Sequence, residues 1–568
     1  MDNECRKRIL SEDYADFMIY YGTNLDSIRE KFDACYDKIV EETFNVYVPL
    51  SQVREDFIHD FGYSAFPNVY GVLSTSSMEA SGVTKIRSIP RLSLRGQGVL
   101  IGIVDTGIDY LHEAFKYGNN TTKIHTIWDQ TIESADGSPQ GFYFGTEYTR
   151  EQINEALKSE QPLTVVPSMD TNGHGTFLAG VAAGNESAAN DFIGVAPDAE
   201  LIIVKMKQAK KFIKNFWKIP EGVECFQKND LMSGIRYLVE TAEKAKKPLS
   251  LIIGVGTSQG AHDEKGALSS YLTSLANMSS TSITIAGGNE GNRNLHYSGT
   301  VKSPENMDTI ELNVAPNSSG FTIELWGNTP TTFSIDLISP SGEYVPRIPA
   351  RLKETREVRF IFERTVINVD YEITEAQSGD QLILLRFQNP SEGIWRIRVY
   401  SGGNLTLNYH AWLPIYQFLQ EGTYFIKADP YYTLTSPGNV TNPIVTTAYN
   451  HTNDSLYLYA SRGYTRTNGI APTLAAPGVN IVAPVSGGGY TTVTGTSIAA
   501  AHTGGIGALF LEWGVVKGNY QQISTVEIRN LLIRGARRKK DMSYPNKEWG
   551  YGILDIFEAF NSLRNEKL

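Results

Sequence analysis

The 568-residue sequence predicts an α/β protein: a doubly wound parallel sheet preceded by a small α+β segment and interrupted by an all-β insertion. Three observations predict it. From about residue 76, short apolar runs alternate with helical periodicity, the pattern of a parallel sheet covered on both faces. Residues 295–430 instead repeat short alternating runs split by turn residues, the pattern of a β-sandwich. The first 75 residues mix both periods within a length too short for a further α/β unit. The boundaries read from these changes are 1–75, 76–294, 295–430 and 431–568.

In the first segment, alternation marks strands at Tyr14–Tyr20, Phe44–Val48 and Val69–Leu73, and a helical pattern runs from Leu25 to Ile39. Val99–Val104, Glu200–Met206 and Leu249–Val255 read as buried strands of the parallel sheet. Asp105 ends the first of them, at the carboxyl edge where such sheets meet ligands. The segment Lys210–Pro220 is basic and aromatic, and reads as a packed amphipathic helix in preference to a partner-binding surface. Ser282–Ala286 is an apolar strand that breaks into Gly287, Gly288 and Asn289. In the insertion, strands are expected at Thr309–Val314, Phe321–Trp326, Phe333–Leu337, Val358–Glu363, Gln381–Phe387, Trp395–Tyr400 and Leu405–Trp412. That number and spacing suits a jelly roll.

Composition narrows the function classes. With 41% hydrophobic and 20% charged residues the chain is globular, and a net charge of −11 argues against nonspecific nucleic-acid binding. The three cysteines, Cys5, Cys35 and Cys225, cannot form a disulfide framework, which suits a reducing compartment. No apolar leader follows Met1 and no run is long enough to span a bilayer; the expectation is a soluble monomer made in the cytoplasm, with no nucleic-acid or membrane partner. No compact Asp/Asn-rich loop or Cys/His cluster calls for a metal or cofactor.

Chemistry concentrates in four short segments. Gly495-Thr496-Ser497 leads into the small-residue run Ile498–Ala501, which holds a hydroxyl at a helix N-terminus beside backbone N–H donors. A serine is a weak nucleophile and needs a base. Asn172-Gly173-His174-Gly175-Thr176 offers one, since imidazole titrates near neutrality. Gly102–Asp109 contributes Asp105, able to orient the imidazole and stabilise its cation. Asn289 adds a side-chain amide for an oxyanion, with the Ser497 N–H as second donor. The order Asp, His, Ser is that of subtilisin among the known arrangements of this triad.

These segments resemble the subtilisin-like serine proteases, the subtilases. The resemblance covers most of 95–294 and 431–560, including Ala475–Val479 and Trp549–Asp555. It implies a serine endopeptidase acting on protein or peptide through Asp105, His174 and Ser497, with Asn289 in the oxyanion hole. It also implies that Gly254, Val255 and Gly256 line the substrate pocket with Gly288 opposite, and that His502 is structural. Residues 1–75 would be a prodomain whose tail sits in the cleft, removed by self-cleavage near Leu73, Ser74, Thr75 or Ser76. Ala501, where proline is usual, and the extra Lys210 segment look like the clostridial Csp-type germination proteases. That branch keeps its prodomain bound, inserts a jelly roll, and cleaves the propeptide of a spore cortex-lytic hydrolase. It also contains triad-less pseudoproteases that act as signalling scaffolds, and a general gut-bacterial peptidase is a further reading.

Overall fold

The computed structural model describes residues 3–20, 25, 28, 32–54, 57–72, 81–88, 92–134, 137–302, 307–352 and 355–563. Its centre is a nine-stranded sheet. Leu249–Ile253, Leu100–Asp105 and Glu200–Lys205 lie at its middle, flanked by Thr281–Ala286 and Ile444–Asn450 on one side and Ile124–Asp129 on the other, all parallel. Antiparallel strands Thr146–Thr149 and Ser455–Leu456 close the two edges. Both faces are dry. Ile101 and Ile103 pack with Leu178, Ile498 and Ile506 on one face, while Leu100 and Val104 pack with Leu231, Ile235 and Leu238 on the other. That double burial explains why these strands read as continuous apolar runs.

The helix Thr496–Leu511 is buried on every side, and its composition allows this. Gly504 lies against Ile252, Gly505 against Val195 and Gly507 against Ser282, close enough that a Cβ at any of the three would clash. Each glycine costs helix propensity of about 1 kcal/mol relative to alanine. In exchange the helix axis lies close against the sheet, and its first turn is fixed at the sheet's carboxyl edge.

Residues 296–425 form two antiparallel sheets around one core. The six-stranded sheet is centred on Gly320–Gly327 and Gln381–Gln388, the five-stranded sheet on Gly393–Ser401 and Phe333–Ile338. The expected run Val358–Glu363 differs: the strand is Thr355–Arg359, and Ile361 and Phe362 are 83% and 80% exposed in the turn that follows. Four strands went unread, His296–Val301, Tyr344–Ile348, Val366–Glu372 and Tyr424–Phe425.

The N-terminal segment pairs Tyr14–Tyr20 with Thr43–Pro49, which pairs with Cys35–Val40. This corrects the helical reading of Leu25–Ile39 at its end. Asp33 and Glu42 both take positive φ, and the chain between them is an extended strand turning back on its neighbour. Most of 21–31 lies outside the described residues. The cysteine reading is also corrected: Cys5 and Cys35 are disulfide-bonded, tying the helix Asn3–Leu10 to this sheet, and only Cys225 is free. Cysteine usage therefore gives no support to a reducing compartment. Val69–Val72 does not join this sheet at all.

Candidate active site

Four segments meet at the carboxyl edge of the central sheet. Asp105 is the last residue of its strand, His174 the first of the helix His174–Ala183, and Ser497 lies in the first turn of Thr496–Leu511. The His174 Nδ1 is 2.8 Å from Asp105 Oδ1, and its Nε2 is 3.1 Å from Ser497 Oγ. All three side chains are buried. Asp105 Oδ1 also accepts the Thr106 N–H at 2.8 Å, and Thr106 Oγ1 accepts the Gly175 N–H at 2.9 Å. A short chain of bonds thus links the turn after Asp105 to the helix that His174 begins. Gly175 is required there: a Cβ would collide with the Gly107 carbonyl.

The start of the His174 helix is fixed separately. Gly173 takes φ +90°, a left-handed conformation suited to glycine. Asp170 accepts from the Gly173 N–H, the Thr176 N–H and the Thr176 hydroxyl at 2.7–2.9 Å, so its carboxylate caps the helix. Asp170 carries no motif of its own, and sequence reasoning missed it.

Asn289 follows the strand Thr281–Ala286 and is buried. Its Oδ1 accepts from the Thr496 N–H at 3.2 Å and the Thr496 hydroxyl at 3.1 Å. With the oxygen so engaged, what Asn289 has left to offer a ligand is its amide N–H donors. Thr496 Oγ1 also accepts the Gly288 N–H at 3.1 Å, so one threonine joins the asparagine's turn to the serine's helix. Its position next to Ser497 was the only available sign of that role. Gly288 takes φ +108° and packs against Ser461 and Thr435. The neighbouring Glu290 is buried with one oxygen accepting the Tyr416 N–H at 3.1 Å, and burial pushes its carboxyl up to about 7.

A strand already occupies the groove beside these groups. Val72 and Gly71 pair antiparallel with Val255 and Gly256, and Val69 and Tyr70 pair with Gln227 and Phe226. The N-terminal segment's last strand is therefore sandwiched between two two-residue strands of the α/β body. Gly254 comes next to the triad: a Cβ there would lie 3.2 Å from His174 Cε1 and 3.4 Å from Asp105 Oδ2. The nearest atom to such a Cβ would be Leu178 Cδ1 at 2.6 Å, so the missing side chain leaves room for Leu178 and for the His174 ring. Leu73, Ser74, Thr75 and Ser76 lie outside the described residues.

Comparison with known proteins places this geometry. A model of the subtilase family, peptidase S8, matches residues 96–318 and 369–552. The chain belongs to the subtilase family. Among solved structures it is similar to the Clostridium perfringens CspB protease, with 30% identity, a TM-score of 0.76, and coverage of 86% of this chain and 97% of that one. Among curated proteins it is 23% identical to the PII-type proteinase of Lacticaseibacillus paracasei over 83% of this chain and 26% of that protein. It is 21% identical to a C5a peptidase of Streptococcus pyogenes over 74% of this chain and 35% of that protein. The chain thus spans about a quarter to a third of the length of these curated relatives.

Two further features of this subtilase bear on the site. His502, one turn beyond Ser497, is fully buried, and its Nε2 lies 2.6 Å from Ser81 Oγ. Burial holds its pKa down at about 3, so it is a neutral structural imidazole and not a second base. The Lys210 segment forms the helix Lys211–Phe216 and packs as expected, but against the N-terminal segment. Phe216 stacks on Phe66 at 4.0 Å and the Trp217 indole donates to the Pro67 carbonyl at 2.9 Å. Lys210 Nζ donates to Asp16 at 2.6 Å with both side chains buried. Among the described residues no group of three His, Cys, Asp or Glu side chains could hold a metal ion, and no helix is long and apolar enough to cross a membrane.

Proposed function

We propose that this chain is a serine endopeptidase and that its first substrate is itself. The observation that carries the proposal is the hydrogen-bonded series Asp105–His174–Ser497 at 2.8 and 3.1 Å beside a groove holding a strand of the same chain. His174 Nε2 takes the proton as Ser497 Oγ attacks the scissile carbonyl. The Asn289 amide and the Ser497 N–H receive the oxyanion. His174 then protonates the leaving amine, and water activated by the same imidazole releases the acyl group. Asp105 orients the imidazole through Nδ1 and stabilises the transient imidazolium.

A substrate in the register of Val69–Val72 would bring the residue after the one paired with Val255 alongside Gly254, against His174. Applied to this chain, that register selects the bond after Leu73, within the Leu73–Ser76 region. Residues 1–75 would then be a prodomain, held by its own interface after the cut, and 295–430 an inserted jelly roll. The similarity to CspB supports a role in spore germination, with the precursor of a cortex-lytic hydrolase as the downstream protein substrate. The enzyme would act as a monomer and without a cofactor. A fluorophosphonate probe tests the reading. Labelling confined to Ser497 is expected, and a folded chain that takes no label there even after the N-terminal segment is displaced would refute it.

A further inference from the structure

The groove has a feature that the triad does not explain. At the position paired with Gly256, the cleft strand has glycine, Gly71. Its backbone does not call for one: Gly71 is within a regular strand and is not among the residues with positive φ. Space does. A Cβ at position 71 would lie 2.5 Å from Gln417 Oε1, 2.7 Å from Ile415 Cδ1 and 3.5 Å from Phe418 Cε1. These three belong to the connection between two strands of the insertion, Leu407–Trp412 and Tyr424–Phe425. Ile415 and Phe418 are fully buried, so at least that part of the wall cannot swing aside freely.

The wall is also fastened to the oxyanion turn. Glu290, next to Asn289, accepts the Tyr416 N–H at 3.1 Å. Arg293 donates to the Asn289 carbonyl at 3.0 Å while its guanidinium lies 3.5 Å from the centre of the Tyr416 ring. The wall therefore holds its place relative to the reacting atoms.

We infer that Ile415 and Gln417 make this cleft selective for glycine at the substrate position that pairs with Gly256, so that a protein substrate needs glycine two residues before the one that reaches Gly254. The inference rests on the proteolytic reading of the same groove and specifies its substrate class. The residue is set by an inserted domain and not by the α/β body.

The test uses the full chain. Gly71→Val should slow Ser497-dependent self-cleavage at least tenfold, since forcing a side chain into a packed wall is costly. Valine favours strands, so backbone preference cannot cause the loss. Trimming the wall with Ile415→Ala and Gln417→Ala should restore cleavage in the Gly71→Val chain. Wild-type rates in Gly71→Val, or a defect that trimming does not relieve, would overturn the inference. A second readout is independent of chemistry. In a Ser497→Ala background, amide exchange of residues 69–72 should quicken at least tenfold with Gly71→Val and recover with the trimmed wall; unchanged exchange would overturn the inference. If the wild type is not cleaved, or Ser497→Ala still is, the proteolytic reading fails, while the exchange result still decides the wall.

Discussion

The N-terminal segment touches the α/β body in two places that are built differently. Its globular part is held by side chains: the buried Lys210–Asp16 pair, the Phe66–Phe216 stack, and Glu324 of the insertion, which accepts from Tyr63 and from the Gly260 N–H at 2.9 Å each. Its last strand, Val69–Val72, is held in the groove by two backbone ladders. Side-chain docking is specific to one partner. Backbone pairing is available to any extended peptide whose side chains fit. A cut after Leu73 would fall beyond this strand and leave both attachments on the N-terminal side of the cut, which would allow processing without release.

The largest expected effects fall on the groove side. Asp105→Asn should lower turnover by about 10⁴, because the imidazole loses its oriented acceptor while the fold is kept; a steady-state assay on a displaced or added peptide checks it. On the docking side, Asp16→Ala leaves the Lys210 ammonium buried without its counter-charge, a loss of about 3–5 kcal/mol. Calorimetry should show the N-terminal segment detaching at lower temperature, with fluorophosphonate reactivity at Ser497 maintained or raised. If Asp16→Ala instead abolished labelling, the two attachments would not be separable. Asn289→Ala should cost about 10²–10³ in kcat with little change in KM, the loss of one oxyanion donor.

A last predicted effect is global and sharpens the contrast by falling on neither attachment alone. Burial holds His262 down at about 4 and His296 and His502 at about 3. Each therefore binds a proton in the unfolded chain below about pH 6.5 but not in the folded one. Stability is complete above that pH and falls as pH drops toward the folded values, by about 1.4 kcal/mol per pH unit for each fully buried imidazole. Urea midpoints at pH 7 and pH 5 measure this; an unchanged midpoint would contradict the buried neutral state.

What the sequence disclosed follows from how local each signal is. Asp105, His174, Asn289 and Ser497 each end or begin an element, and the turn that holds each one is written in adjacent residues. The Lys210 segment was legible as a packed helix, but its partner was not, since Phe66 and Asp16 lie far away in the chain. The groove was less legible: Val255–Gly256 and Phe226–Gln227 are two-residue strands that show no period and exist only because Val69–Val72 lies between them. Val366–Glu372 went unread although Ile367, Val369 and Tyr371 alternate with Asn368, Asp370 and Glu372; that signal was there to be used. The Cys35–Val40 strand was hidden by apolar spacing that also fits a helix, and an odd number of cysteines obscured the one pair that forms.

The central claim is that Ser497 cuts the chain that lies in its own groove. The most direct test is the intact mass and N-terminal sequence of purified wild-type protein beside Ser497→Ala. The account predicts two fragments that copurify in the wild type, with the new N-terminus at or just after Ser74, and a single uncut chain in the variant. An N-terminal cut that persists in Ser497→Ala, with no other protease present, would contradict it.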